Sequence, residues 1–317
     1  MLSRTADNLY WLARYMERAE NLARILEVGI RMAMMPDQSG KRHRSEWRST
    51  LVNAGIEPLF EQTGRAVNAR NVIEFIGRSE RNPSSIYSCI KTARDSGRAV
   101  RNAITSEMWE ALNDTWLAFE DNWRAAAENR DFRPLLDWIK DRSSMFRGSL
   151  AGTMIRDEAY HFTRLGTFVE RADNTARILD VKYHILLPDM AEVGGGVDYY
   201  QWTTILRAVS ALGGYHWVYS ENPRPWNIAE FLILREEMPR SLITCLREIT
   251  TTLEILAEAH GRRHPCHRQA GRLYSSLKFA VAEDVFQQGL HEFLTDFISR
   301  NNRLGNEIER NYLFAGT

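Results

Sequence analysis

Apolar residues recur every three to four positions along almost the whole chain, the spacing of helices that bury one face. Strand-like alternation is absent. From about Thr5 to Met34, Leu12, Met16, Ala19, Ala23, Leu26 and Ile30 fall within roughly a quarter of a helical wheel, and Pro36 ends the run. Further helices are predicted at about 45–60, 66–79, 84–103, 106–129, 134–155, 158–187, 199–220, 227–236, 240–260 and a broken stretch at 266–314. Pro134 and Pro239 suit a first helical turn, while Asp198-Tyr199-Tyr200-Gln201 and Asn227-Ile228-Ala229-Glu230 read as capping boxes. The pattern predicts an all-α helical bundle. Pro188 to Val197, with Gly194, Gly195 and Gly196, reads either as a flexible joint or as an ordinary loop between helices.

Self-comparison adds an internal duplication. LARYMERAENLARILEV, Leu12 to Val28, aligns without gaps on LGTFVERADNTARILDV, Leu165 to Val181, with 10 identities in 17 positions. Trp47, Ser49 and Leu51 match Trp202, Thr204 and Leu206. Val72 to Ile90 matches Ile228 to Leu246, so that Glu74, Phe75, Glu80, Pro83, Ser85 and Cys89 recur as Glu230, Phe231, Glu236, Pro239, Ser241 and Cys245. The offsets stay between 153 and 156. Two related halves are expected, 1–157 and 158–317, packed as one domain about a pseudo-twofold axis.

The repeated signature places Glu17, Asn21 and Arg24 within about 60° of one another on the wheel, opposite the apolar stripe, and Glu170, Asn174 and Arg177 repeat that face. Two uses are open. Glu–Arg pairs could join the halves, or the two faces could line a polar cleft for an anionic or amide-bearing ligand, since buried charges need opposite charges in either case. After the matched Cys89 and Cys245 the halves diverge. Lys91, Arg94, Arg98 and Arg101 gather beside the core stripe of one helix, and the positions matching the last three are Thr250, Glu254 and Ala257. This basic stripe is single-copy, and either pairs with Glu107, Glu110 or Asp114 of the next helix or offers an anion or partner site.

Composition changes the picture in one respect. The 317 residues carry 41 basic and 41 acidic side chains, so there is no net field to hold a polyanion or an anionic membrane. Yet 36 of the basic residues are Arg and 5 are Lys. Arg pairs bidentately with carboxylates and is less costly to bury than an ammonium, although a GC-rich coding bias would give the same ratio. Residues 1–104 hold 17 basic against 11 acidic side chains and 105–160 hold 7 against 11. Cys89, Cys245 and Cys266 show no paired spacing, which favours a reducing compartment. The charged first two dozen residues lack a signal-peptide core, and no run of 18 apolar residues occurs; a cytoplasmic protein away from membranes is expected.

Other chemistry is weak. His260, His264, Cys266 and His267 cluster without a zinc spacing and among arginines. Glu158-Ala159-Tyr160-His161 is half of a di-iron motif whose second half is missing. Trp109, Trp116 and Trp123 recur every seven residues, as core packing does. No metal, cofactor or self-sufficient catalytic constellation is expected.

Four boxes in order, LSRTADNLYWLARYMERAENLAR, NPSSIYSCIKTARDSGRAVRNAITSEMWEALN, LGTFVERADNTARILDVKYH and AEFLILREEMPRSLITCL, resemble the bacterial alpha-E family along essentially the whole chain. On that resemblance Glu17-Arg18 and Glu170-Arg171 are the signature pairs, and Arg94, Arg98, Arg101, Glu107, Trp109 and Asn113 fall in the second box. The second signature has Thr167 where the first has Arg14. The resemblance further implies the company of circularly permuted ATP-grasp-type ligases and transglutaminase-like proteins. The expected function is a non-catalytic accessory subunit of an amide or peptide ligase, without nucleic acid and with the oligomeric state open. The alternative is a stand-alone enzyme using Glu17 or Glu170 at a raised pKa in the cleft between halves.

Overall fold

In the computed structural model the described residues are 1–34, 41–185 and 195–313. They form an all-α fold with no strand among them. The helices are α1 (Ser3–Ala33), α2 (Lys41–Asn53), α3 (Glu57–Glu61), α4 (Ala69–Gly77), α5 (Ile86–Ala99), α6 (Ser106–Asn129), α7 (Arg133–Thr153) and α8 (Glu158–Ile185). They continue with α9 (Gly196–Ala208), α10 (Leu212–Val218), α11 (Pro225–Ile233), α12 (Leu242–His260), α13 (Pro265–Lys278), α14 (Ala282–Gln288) and α15 (Leu290–Tyr312).

Two long helices, α1 and α8, form the centre. Met1 meets Glu158, the Tyr10 carbonyl lies against Gly166, and Glu17 meets Arg171, so residue numbers rise together and the helices run parallel. Every residue of α1 from Ala19 to Gly29 is buried, including Glu20, Arg24 and Glu27. A helix covered on all sides needs neighbours on all sides. Helices α5, α7 and α9 pack on α1, while α12, α15 and α2 pack on α8. The apolar core is filled by residues such as Leu9, Leu12, Leu165, Leu246 and Leu253, each with no exposed surface. At Gly166 no Cβ fits, because one would lie 2.2 Å from the Tyr10 oxygen.

Several expected boundaries shift for local reasons. Pro225 opens α11 two residues before Asn227, since its fixed φ is already helical. Pro239 stands outside α12; the cap is Ser241, whose hydroxyl accepts from the Thr244 N–H, just as Ser85 accepts from Ser88 ahead of α5. Helix α9 begins at Gly196, so Asp198 is no cap: Lys182 donates to it and, at 2.8 Å, to Gln201. The joint proposed at Pro188 to Val197 lies outside the described residues up to Gly194, and its last residues already enter α9.

The tryptophans of the series are partly buried and pack against the core from its edge. Trp123 lies over Gly77 so closely that a Cβ there would be 2.3 Å from its ring, and Trp116 packs on Tyr87. His267 is buried and tied to the Leu253 carbonyl and the Tyr312 hydroxyl, a cross-link between α12, α13 and α15. Glu158 holds the N-terminal amine and His260. No cluster suited to a metal ion occurs among the described residues, and no helix among them is long and apolar enough to cross a membrane.

Candidate functional site

The polar faces of α1 and α8 meet. Arg171 donates Nε and Nη2 to the two carboxylate oxygens of Glu17 at 2.8 and 3.0 Å. Arg18 does the same for Glu170, with Nη2 at 2.9 Å. Each Glu-Arg dipeptide therefore gives its acid to one partner and its base back to the same helix opposite. Two adjacent residues on a helix point about 100° apart, so a reciprocal crossing of this kind fixes both register and rotation of the pair.

Further arginines surround the acids. Arg147 of α7 reaches Glu17 at 3.0 Å and also Glu20; Arg240, in the turn before α12, reaches Glu17 at 3.0 Å and also Glu20. Arg24 pairs with Glu20 one turn earlier, at 2.6 Å, and its other nitrogen reaches the Ala208 carbonyl and Ser210. Likewise Arg177 pairs with Asp173 at 2.6 Å. The sequence had placed Arg24 beside Glu17 and Arg177 beside Glu170. They share a face, but seven residues span two turns, and the carboxylate four residues away is within reach. Glu20 and Asp173 are thus members of the site that the repeat did not point to. On the Glu170 side Arg14 donates to the carboxylate at 2.9 Å.

Burial alone would raise the pKa of Glu170, but Arg18 and Arg14 outweigh it and hold the group near about 2. Glu20 is likewise at about 2, where Arg240 leads the opposition to burial, and Glu17 is driven well below the usual range by Arg171, Arg147 and Arg240. A general acid needs the opposite shift. Glu17 and Glu170 are both bidentately paired, so neither has the raised pKa that a stand-alone enzyme in this cleft would use.

A sign follows for stability. Groups depressed in the folded state contribute stability that is present above their unfolded value, 4.5, and lost as pH falls toward 2. Acid unfolding should therefore set in below pH 4.5 and steepen toward pH 2, as circular dichroism at stepped pH would show. A transition completed above pH 5 would contradict it.

Beside this network a cleft of about 190 Å³ opens to solvent. Arg14, Arg18, Asn21, Glu170, Asp173, Asn174, Arg177, Ser84 and Asn302 line it, together with Gly55 and the apolar Leu22, Ile25, Ala54 and Ile56. Both Asn21 and Asn174 are buried, at 5% and 2% exposure. The side-chain oxygen of each, and the Asn174 amide nitrogen, have no hydrogen-bond partner among the described residues. Of the repeated faces, Glu17, Arg18, Glu170 and Arg171 join the helices, while Asn21, Asn174 and Arg177 border the cleft.

The single-copy stripe lies elsewhere. Arg94 donates to Asn113 at 3.0 Å and sits over the Trp109 ring, and Arg101 covers the same ring. Arg98 is exposed. The expected ion pairs to Glu107, Glu110 or Asp114 are not formed among the described residues; the planar guanidinium groups find the indole face and the amide instead. Arg94, Arg101, Trp109 and Asn113 therefore come together, while Arg98 and Glu107 stay on the surface. The thiols of Cys89, Cys245 and Cys266 are free and buried, each pushed up to about 12 by that burial, and are unreactive at neutral pH.

Fold and site define an all-helical domain centred on two reciprocally crossed Glu-Arg dipeptides. The model of the Alpha-E family, described as a predicted alpha-helical domain with a conserved ER motif, matches residues 1–313, and the chain belongs to that family. No curated protein and no solved structure matches the chain.

Proposed function

We propose that the chain is a non-catalytic helical binding subunit of an ATP-grasp-type amide or peptide ligase, or of a peptide-processing system that includes a transglutaminase-like protein, and that its two halves descend from one duplicated unit. The observation that carries the reading is the state of the Glu-Arg centre. Its carboxylates are consumed by structural pairing, while an open cleft bordered by Asn21 and Asn174 remains beside them. Glu17 and Glu170 are held ionised by their arginines, which favours binding and positioning over proton transfer. The exposed Arg98 and Arg101, the latter over Trp109, on one half only, supply a docking face with cationic and aromatic character. The duplication is supported by the way α5 and α12 start on matched serine caps and by the reciprocal placing of α2 on α8 and α9 on α1. A cytoplasmic site of action agrees with three free cysteines.

The test is co-purification with the ATP-grasp-type ligase of the same genome, followed by turnover with and without this chain. Mutual recovery that falls when Arg98 and Arg101 are both changed to Glu is expected. The reading is lost if neither protein alters the other's recovery or turnover.

A further inference from the structure

The two sides of the Glu-Arg centre differ in one detail. Ser143 of α7 donates to the Met16 carbonyl and Asn301 of α15 donates to that of Val169, residues matched in the repeat. One turn further on, α7 carries Arg147 and α15 carries Gly305. Into the space left by Gly305 comes Arg14, whose Nη1 would lie 3.5 Å from a Cβ there, and which binds Glu170 as Arg147 binds Glu17. That difference is made good. Arg240, which bridges Glu17 and Glu20, is matched in the repeat by Ser84, and no side chain among the described residues takes its place. The cleft is found at Ser84, with Glu170 and Asp173 on its wall.

We propose that this cleft is a binding site for a small molecule bearing a guanidinium group, seated between Glu170 and Asp173 where Arg240 is seated between Glu17 and Glu20. The protein itself holds a guanidinium group in the equivalent place. Glu17 and Glu20 accept four guanidinium groups, from Arg24, Arg147, Arg171 and Arg240, whereas Glu170 and Asp173 accept three, from Arg14, Arg18 and Arg177. Asp173 is one methylene shorter than Glu20 and leaves more room. A second, independent observation points the same way: Asn21 and Asn174 border the cleft, and their side-chain oxygens are sealed behind its surface without a partner, so that a small side-chain rotation would turn an acceptor toward the N–H groups that a planar five-donor fork presents. The volume admits the planar group and a short chain. This site is separate from the arginine face proposed for ligase docking and does not depend on it.

Calorimetric titration with agmatine, against N-butylurea as the neutral counterpart, putrescine as a primary amine and inorganic phosphate as an anion, tests the assignment. Agmatine alone should bind the intact chain. Ser84→Arg should supply the missing guanidinium from within, weaken agmatine by about tenfold or more, and leave the chain at least as heat-stable. Asp173→Asn, which removes only one charge near the rim, should weaken it by about tenfold as well. Arg240→Ser should lower thermal stability and regain part of it in agmatine, which then has a second seat. No binding of agmatine to the intact chain would overturn the proposal. So would equal binding of N-butylurea or putrescine, preference for phosphate, or undiminished agmatine binding by folded Ser84→Arg or Asp173→Asn protein.

Discussion

Glu17→Ala should cost about 3–5 kcal/mol of unfolding free energy, among the largest losses any single side chain here can cause. The reason is arithmetic of charge in a place without water. Glu17 is 1% exposed and answers Arg171, Arg147 and Arg240. Removing it leaves those three guanidinium groups facing one carboxylate, Glu20, and each unmatched buried ion costs several kcal/mol before relaxation. Urea unfolding followed by tryptophan fluorescence measures the loss, with Glu107→Ala on the exposed surface as the near-neutral comparison. Removing Arg240 in the same chain should recover part of the cost, because one of the stranded charges goes with it. A loss below about 1 kcal/mol would mean that water reaches the network, and the account of a dry ionic centre would fail.

Gly166→Ala should cost about 3 kcal/mol or more, at the top of the range for overpacking. Its Cβ would lie 2.2 Å from the Tyr10 oxygen and 3.0 Å from the carbonyl carbon. Neither is the far end of a flexible side chain; both belong to the backbone of α1. The only relief is for α1 and α8 to move apart, which stretches the Glu-Arg crossing one turn away. Gly148→Ala is the matched comparison. It sits within α7 with nothing within 4 Å of a Cβ, and there the better helix propensity of alanine should stabilise by up to about 1 kcal/mol. Thermal melts of the two variants should move in opposite directions. If both rise, the close approach of the central helices is not real.

The helices and the importance of Glu17 and Glu170 were legible because they depend on local spacing. Apolar positions three and four apart mark a helix whatever its neighbours, and a motif occurring twice marks itself. What pairs with what was not legible. Arg147 and Arg240 come from a helix and a turn with no matched Glu-Arg motif, and only packing brings them to Glu17. Glu20 carried a signal that went unused: it stands four residues before Arg24, the spacing of a helical ion pair. Gly166 inside a strongly helical run was a second such signal, since a glycine there costs stability unless something passes close by. The exchange of Arg240 for Ser84 could be read from the aligned boxes, but its meaning as a cleft needed the positions of Glu170, Asp173 and the two asparagines in space.

The parallel pairing of α1 with α8 also sets a schedule. On the ribosome α1 meets its bidentate partner 154 residues later and Arg240 only after 223. At about 5–20 residues per second, α1 waits roughly ten to forty-five seconds for the last of these groups. Helices α5 and α7 can cover part of its apolar side in the meantime, while the charges that will later be sealed inside, Glu17, Glu20, Glu27, Arg14 and Arg24, keep the rest hydrated. The ionic centre of the finished molecule thus serves its own assembly, as the solubilising face of a helix that must be made early and placed late.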